Sequence, residues 1–137
     1  MQYHSILHTL QYLHHFTMTN RWSMEEEYVL ATIWLEVHDS TDVVNECSFW
    51  NEVTERFNNQ SDGPHRNKNS ITALWSRMNA ECQNYNAIYK ELLRTSDDPC
   101  RLSNANRIYY ERYGKGIKYQ HVWFALRNTL AWDIDDE

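Results

Sequence analysis

The stretch Ile71–Leu92, ITALWSRMNAECQNYNAIYKEL, decides how this chain reads. Its large side chains stand at Leu74, Trp75, Met78, Cys82, Tyr85, Tyr89 and Leu92, and from Trp75 onward they recur in steps of three and four. Residues so spaced share one side of an α-helix, so the pattern predicts a long helix with an apolar spine. The other side carries Arg77, Asn79, Ala80, Gln83, Asn84 and Asn86. That polar face is a candidate for entering a DNA groove, although it holds one firm positive charge.

Working outward, the chain has 137 residues, which fits one domain, and 42% of them are hydrophobic. Aromatics make up 14%, including six Trp, which supplies a packed core and excludes a disordered chain. Gly (3) and Pro (2) are scarce, which favours long helices over sheets. Upstream, Ser23 and Glu26 form a capping-box pattern, and Glu25, Glu26 and Glu27 suit the first turn of a helix. Leu30, Ile33, Trp34 and Val37 complete a helix over about 24–38. CSFWNEVTERFNN predicts a second helix with Phe49, Trp50, Val53 and Phe57 on one face. Asp62-Gly63-Pro64 marks the clearest loop. The quoted helix runs on to about 94. A fourth helix spans about 104–113, capped by Ser103, with Ile108, Tyr109 and Tyr113 inward. A fifth spans about 119–130 with Val122, Trp123 and Leu126.

The fold class is therefore all-α. Residues 1–20 form an N-terminal arm or an extra amphipathic helix, with Tyr3, Ile6, Leu7, Leu10, Leu13 and Phe16 at helical spacing. Gln, His and Thr interrupt that segment throughout, so it reads as neither a signal peptide nor a membrane span. Residues 21–132 form the domain and 133–137 an acidic tail.

Net charge is −6 and unevenly placed. Residues 21–60 sum to −7, residues 61–132 to +5 and the tail to −4. An acidic chain is a poor general binder of phosphate, but a local positive field is enough for a binding face. Cys47, Cys82 and Cys100 are odd in number and widely spaced, which suits reduced thiols. No Cys-x-x-Cys spacing accompanies the seven His, so neither a metal nor another cofactor is expected. There is no Gly-rich phosphate loop and no Gly-x-Ser-x-Gly elbow, and the carboxylates cluster in a helix first turn and in the tail. On these grounds the chain is not expected to be an enzyme.

Three segments taken together carry a resemblance: RWSMEEEYVL, SFWNEVTERFN, and the pattern Arg66, Ser70, Ile71, Trp75, Met78. In this order the chain resembles plant Myb/SANT-like (trihelix-like) DNA-binding domains, in particular the Myb-like protein of Pong and Harbinger-type transposons and its domesticated relatives. IKYQHVWFALRNTLAW resembles the closing segment of that subgroup at Ile117, His121, Trp123, Leu126 and Trp132. The resemblance implies a three-helix Myb/SANT-like bundle extended by two C-terminal helices, with the third helix, about 69–94, in the major groove. It also implies a nuclear DNA-binding protein, a transcriptional regulator or a transposon-derived accessory factor. The chain departs from the family at Leu74, where a basic residue is frequent, and at Asn84, where Lys is frequent.

Candidate DNA contacts are Arg66 and Lys68 before the third helix, and Ser70 as a cap or phosphate donor. On the helix they are Arg77, Asn79, Ala80, Gln83 and Asn84 for base edges, with Thr72 and Ser76 alongside. Trp22, Trp34, Trp50, Trp75 and Trp123 are expected to be structural core. His121 is expected to be a hydrogen-bonded structural residue. Double-stranded DNA is the expected partner, with a transposase-like, Myb-like or chromatin protein or a second copy of the chain as further candidates, and no membrane. The competing expectation is an acidic SANT-like interaction module that binds histone tails or a chromatin partner, or a small dimerising regulator that competes with longer relatives.

Overall fold

A computed structural model describes residues 21–40 and 45–128. Among them the chain is all-α, with five helices: α1 (Met24–His38), α2 (Glu46–Gln60), α3 (Lys68–Thr95), α4 (Arg101–Tyr113) and α5 (Gln120–Leu126). The N-terminal arm, Trp132 and the acidic tail lie outside the described residues.

Local chemistry sets the helix starts. Ser23 Oγ accepts the Glu26 N–H at 3.0 Å and Glu26 Oε1 accepts the Ser23 N–H at 3.0 Å, completing the expected capping box. Asn45 caps α2 by accepting the Ser48 N–H. Asn67, not Ser70, caps α3: its Oδ1 accepts the Ser70 N–H at 2.8 Å. The fourth helix begins three residues earlier than the sequence suggests, so Ser103 is inside it and caps nothing. Asp98 anchors that start instead, accepting the Cys100 N–H at 2.9 Å and the Asn104 side-chain N–H at 3.2 Å. α4 ends on Gly114, whose φ of 74° is the left-handed conformation that glycine tolerates best.

Of the expected spine, Leu74, Trp75, Met78, Cys82 and Tyr85 are buried along α3, while Tyr89 and Leu92 are only partly buried against the core; Ile71 and Ile88 are buried beside them. α3 packs on all four other helices, and its spine shares one core with Leu30, Ile33 and Val37 of α1, Val53 and Phe57 of α2, Ala105 and Tyr109 of α4 and Val122, Trp123 and Leu126 of α5; Trp75 meets Trp34 of α1, and Tyr85 meets Tyr109 and Trp123. α5 also packs on α1, which closes the bundle. Tyr113 is 43% exposed, so α4 turns Ala105 and Tyr109 inward and leaves Tyr113 at the surface.

Of the five tryptophans expected in the core, Trp75 and Trp123 are buried, while Trp22, Trp34 and Trp50 are partly buried against it. Trp34 stacks on Trp75 with centroids 4.4 Å apart, and its ring stacks on His38 as well. Asn86, read as part of the polar face, is buried: its Oδ1 accepts the Trp123 indole N–H at 2.9 Å. A buried indole N–H needs such a partner, so α3 gives up one amide to hold α5.

Candidate functional site

The polar side of α3 presents Ser76, Arg77, Ala80, Gln83 and Asn84 at the surface, with Thr72 and Asn79 half-buried. Ser76, Arg77, Ala80, Gln83 and Asn84 thus share one exposed arc. Thr72 Oγ1 donates back to the Asn69 carbonyl at 3.0 Å, so its hydroxyl proton is already engaged. Ser70 is exposed in the first turn. Lys68 points toward α2, with Nζ 3.3 Å from Asn51 Oδ1. Together with Asn69, Thr72, Glu46, Cys47 and Trp50 it lines a cleft of about 380 Å³.

Arg66 is placed otherwise than expected. It is 8% exposed, and its guanidinium grips Glu26 through Nε–Oε2 and Nη2–Oε1 contacts of 3.0 Å each. Nη2 also donates to the Arg21 carbonyl at 2.6 Å, and the guanidinium carbon lies 4.1 Å over the Trp22 ring. Asn58 pairs with the Arg66 backbone on both its N–H and its carbonyl. A buried, doubly bonded guanidinium is part of the scaffold, so Arg66 is not a phosphate contact in this structure. Glu26 thus serves two roles, as capping-box acid and as the partner of Arg66. The cleft beside this pair, about 280 Å³, is lined on one side by Ser61, Asp62 and Gly63.

His121 is the expected structural histidine. Its Nε2 lies 2.8 Å from Oε1 of the buried Glu27 and ties α5 to α1. With Glu26 and Glu27 both withdrawn into internal bonds, only part of the acidic run on α1 faces solvent.

A second basic region was missed from the sequence. The α4–α5 connector turns back over α3, and Glu81 holds it there. Glu81 Oε1 accepts the N–H groups of Lys118 and Tyr119 at 2.7 Å each. Lys115 and Lys118 then line a cleft of about 410 Å³ with Arg77, Ala80 and Asn84 of α3 and with Tyr109, Tyr113 and Tyr119. The signal available was GKGIK, one lysine between two glycines and a second two residues on, but nothing local to it says which helix the connector covers.

Burial shifts several groups here. It raises Tyr109 to about 12, helped by the neighbouring Glu81 carboxylate, so this hydroxyl stays protonated. Tyr85 is also raised to about 12, again mainly by burial. Its oxygen donates to Asn106 Oδ1 at 2.7 Å and accepts from Gln120 at 3.0 Å. The Cys82 thiol is buried and pushed well above its ordinary range by desolvation and by Glu81, which keeps it a thiol. Among the described residues no group of His, Cys, Asp and Glu could hold a metal ion. His4 and His8, spaced four apart, lie outside them. No described helix is long and apolar enough to cross a membrane.

No family model matches the chain, and no solved structure matches it. Two curated proteins of Arabidopsis thaliana are similar to it: glutathione S-transferase T3, 26% identical over 124 residues, and glutathione S-transferase T2, 23% identical over 126 residues. Each alignment covers 82% of this chain and 21% of the relative, so the chain spans about a fifth of the length of the curated relatives it matches. This finding corrects the function expected from the sequence. The relatives are named as enzymes, and their names point neither to a DNA-binding transcriptional or transposon-derived regulator nor to a histone-tail module. The expectation of a non-enzyme is overturned on the same ground.

Proposed function

We propose that the chain serves a glutathione S-transferase-type protein, as an all-α segment that contributes to glutathione transfer by the larger molecule. One observation carries the reading. Two relatives share the same enzyme name, and the similarity fills most of this chain but a fifth of each of them. The reaction and its substrates come to this chain only as part of that proposal.

Within that setting we infer that α1–α3 have the Myb/SANT-like arrangement. The order of the three motifs supports this, as does the gathering of Trp22, Trp34 and Trp75 on that side of the bundle. Duplex DNA, a protein partner and a second copy of the chain are the proposed occupants of the exposed α3 arc, and the nucleus is the proposed location. The exposed Arg77, Gln83 and Asn84 support an occupant with hydrogen-bonding edges.

The test of the enzyme setting is a segment exchange. The matched segment of the T3 relative is deleted, and this chain is inserted in its place. Recovery of glutathione conjugation lost on deletion supports the reading. Conjugation indifferent both to the deletion and to the insertion overturns it.

A further inference from the structure

The cleft between α3 and the α4–α5 connector is a built feature. The Glu81 carboxylate takes two backbone N–H bonds from the connector, and the Tyr109 side chain lines the same cleft. These bonds fix the backbone that carries Lys118, and they engage Oε1 of Glu81, which lines the cleft. Arg77 reaches the same cleft from α3, and Lys115 and Lys118 reach it from the connector.

None of these three cations forms an ion pair among the described residues, whereas Arg56, Arg66, Arg94 and Arg107 each meet a carboxylate. The chain as a whole is acidic, yet the cleft gathers three positive side chains against one negative one. Like charges held together without counterions repel, so the arrangement gains most from a ligand that brings negative charge.

We propose that this cleft is a binding site for a phosphate group. A dianion matches the balance of three cations against Glu81. The planar guanidinium of Arg77 suits two phosphate oxygens, and the two ammonium groups act as point charges on the rest. A single carboxylate would satisfy the arginine and leave both lysines unneutralised. The volume, about 410 Å³, admits a small ligand or one stretch of a larger one. Tyr113, 43% exposed at the rim, offers a ring and a hydroxyl to whatever bears the phosphate. The group can come from a small phosphorylated molecule, whose terminal phosphate is itself a dianion, or from two successive phosphodiesters of a backbone, which bring one negative charge each.

The experiment is calorimetric titration of the purified chain with pyrophosphate, with a short DNA duplex, and with succinate as the dicarboxylate control. The variants are Arg77→Ala, the double variant Lys115→Ala/Lys118→Ala, and Arg107→Ala, which removes a cation paired with Glu111 on α4. Circular dichroism checks that each is folded. Loss of the Arg77 guanidinium in the first variant, and of both lysine ammonium groups in the second, predicts that phosphate-bearing probes weaken by about tenfold or more in these two and not in the third. Binding should also weaken as salt rises. Preference for pyrophosphate assigns the site to a small ligand, and preference for the duplex assigns it to a backbone. Three results overturn the proposal: no binding of either phosphate probe, binding indifferent to the first two variants, or succinate bound as tightly. The readout is binding by the chain itself, so it can fail while the segment exchange succeeds, and the reverse.

Discussion

Arg66 and Glu26 stand forty residues apart in sequence and meet as a buried ion pair, with both guanidinium contacts at 3.0 Å. The pair joins the start of α1 to the loop that leads into α3. Trp22 covers it, and Asn58 fixes the backbone beside it. The residue most exposed by sequence logic, a basic side chain in a polar loop, is therefore a keystone of the interior.

Removing one partner leaves a buried charge without its counterion. Arg66→Ala and Glu26→Ala are each expected to destabilise the fold by about 3–5 kcal/mol, read from urea midpoints. Glu26→Ala also removes half of the capping box. Replacing both partners together should cost much less than the sum of the single changes, because they share one interaction. Additive losses would remove the pair from the account.

Gly63 is held to glycine by the same pair. A Cβ there would lie 2.9 Å from Glu26 Oε2, an atom that Arg66 keeps from moving. Gly63→Ala is expected to cost about 1–3 kcal/mol in thermal or urea unfolding, the range for forced overpacking. Wild-type stability in that variant would mean that Glu26 is free to shift.

The Trp123–Asn86 bond is the corresponding anchor at the other end. Trp123→Ala empties a fully buried site and is expected to cost about 3–5 kcal/mol. Asn86→Ala strands the indole N–H and should cost about 1–3 kcal/mol, while Trp123→Phe in that background should recover part of the loss. Chemical denaturation of the four proteins checks the cycle, and an unchanged Asn86→Ala variant would contradict it.

Alkali should loosen the fold through Tyr85 and Tyr109. Both are raised by burial from an ordinary 10 to about 12 in the folded chain. Below about pH 10 folded and unfolded chains both keep these protons, and the stability is fully present. Between about pH 10 and 12 the unfolded chain ionises first, so stability falls as pH rises through the folded value. Urea midpoints across that range should drop, and Tyr85→Phe with Tyr109→Phe should flatten the decline. A flat profile in the unaltered chain would contradict the burial of these hydroxyls.

Thiol reactivity separates the three cysteines. Cys47 and Cys100 are exposed and Cys82 is buried. A thiol reagent such as dithionitrobenzoate is expected to modify Cys47 and Cys100 promptly and Cys82 only on unfolding. Prompt modification of Cys82 would show that the α3–α5 contact opens.

The parts legible in the sequence were those governed by near neighbours. α1 begins and ends where the capping box, the first-turn acids and the apolar stripe place it, because all three signals lie within the segment itself. The spine of α3 followed from spacing alone. α4 was misplaced by three residues because Asp98 bonds forward to Cys100 and Asn104, a polar substitute for the serine cap that the sequence suggests.

The candidate surface was less legible because which side chains remain on it depends on distant partners. Nothing near Arg66 says that Glu26 will meet it, and nothing near Asn86 says that Trp123 needs an acceptor. Lys115 and Lys118 look like ordinary loop charges until Glu81 draws the connector over α3. The role of the chain was misread for a different reason: the charge and motif patterns describe one segment, whereas the relatives in which that segment recurs are about five times as long.

The most direct test of the central claim is the conjugation rate of the T3 relative in three forms: intact, lacking the segment similar to this chain, and carrying this chain in its place. Deletion should lower glutathione conjugation, and insertion of this chain should restore it. Equal rates in the deleted and intact forms, or a loss that this chain does not repair, would contradict the claim.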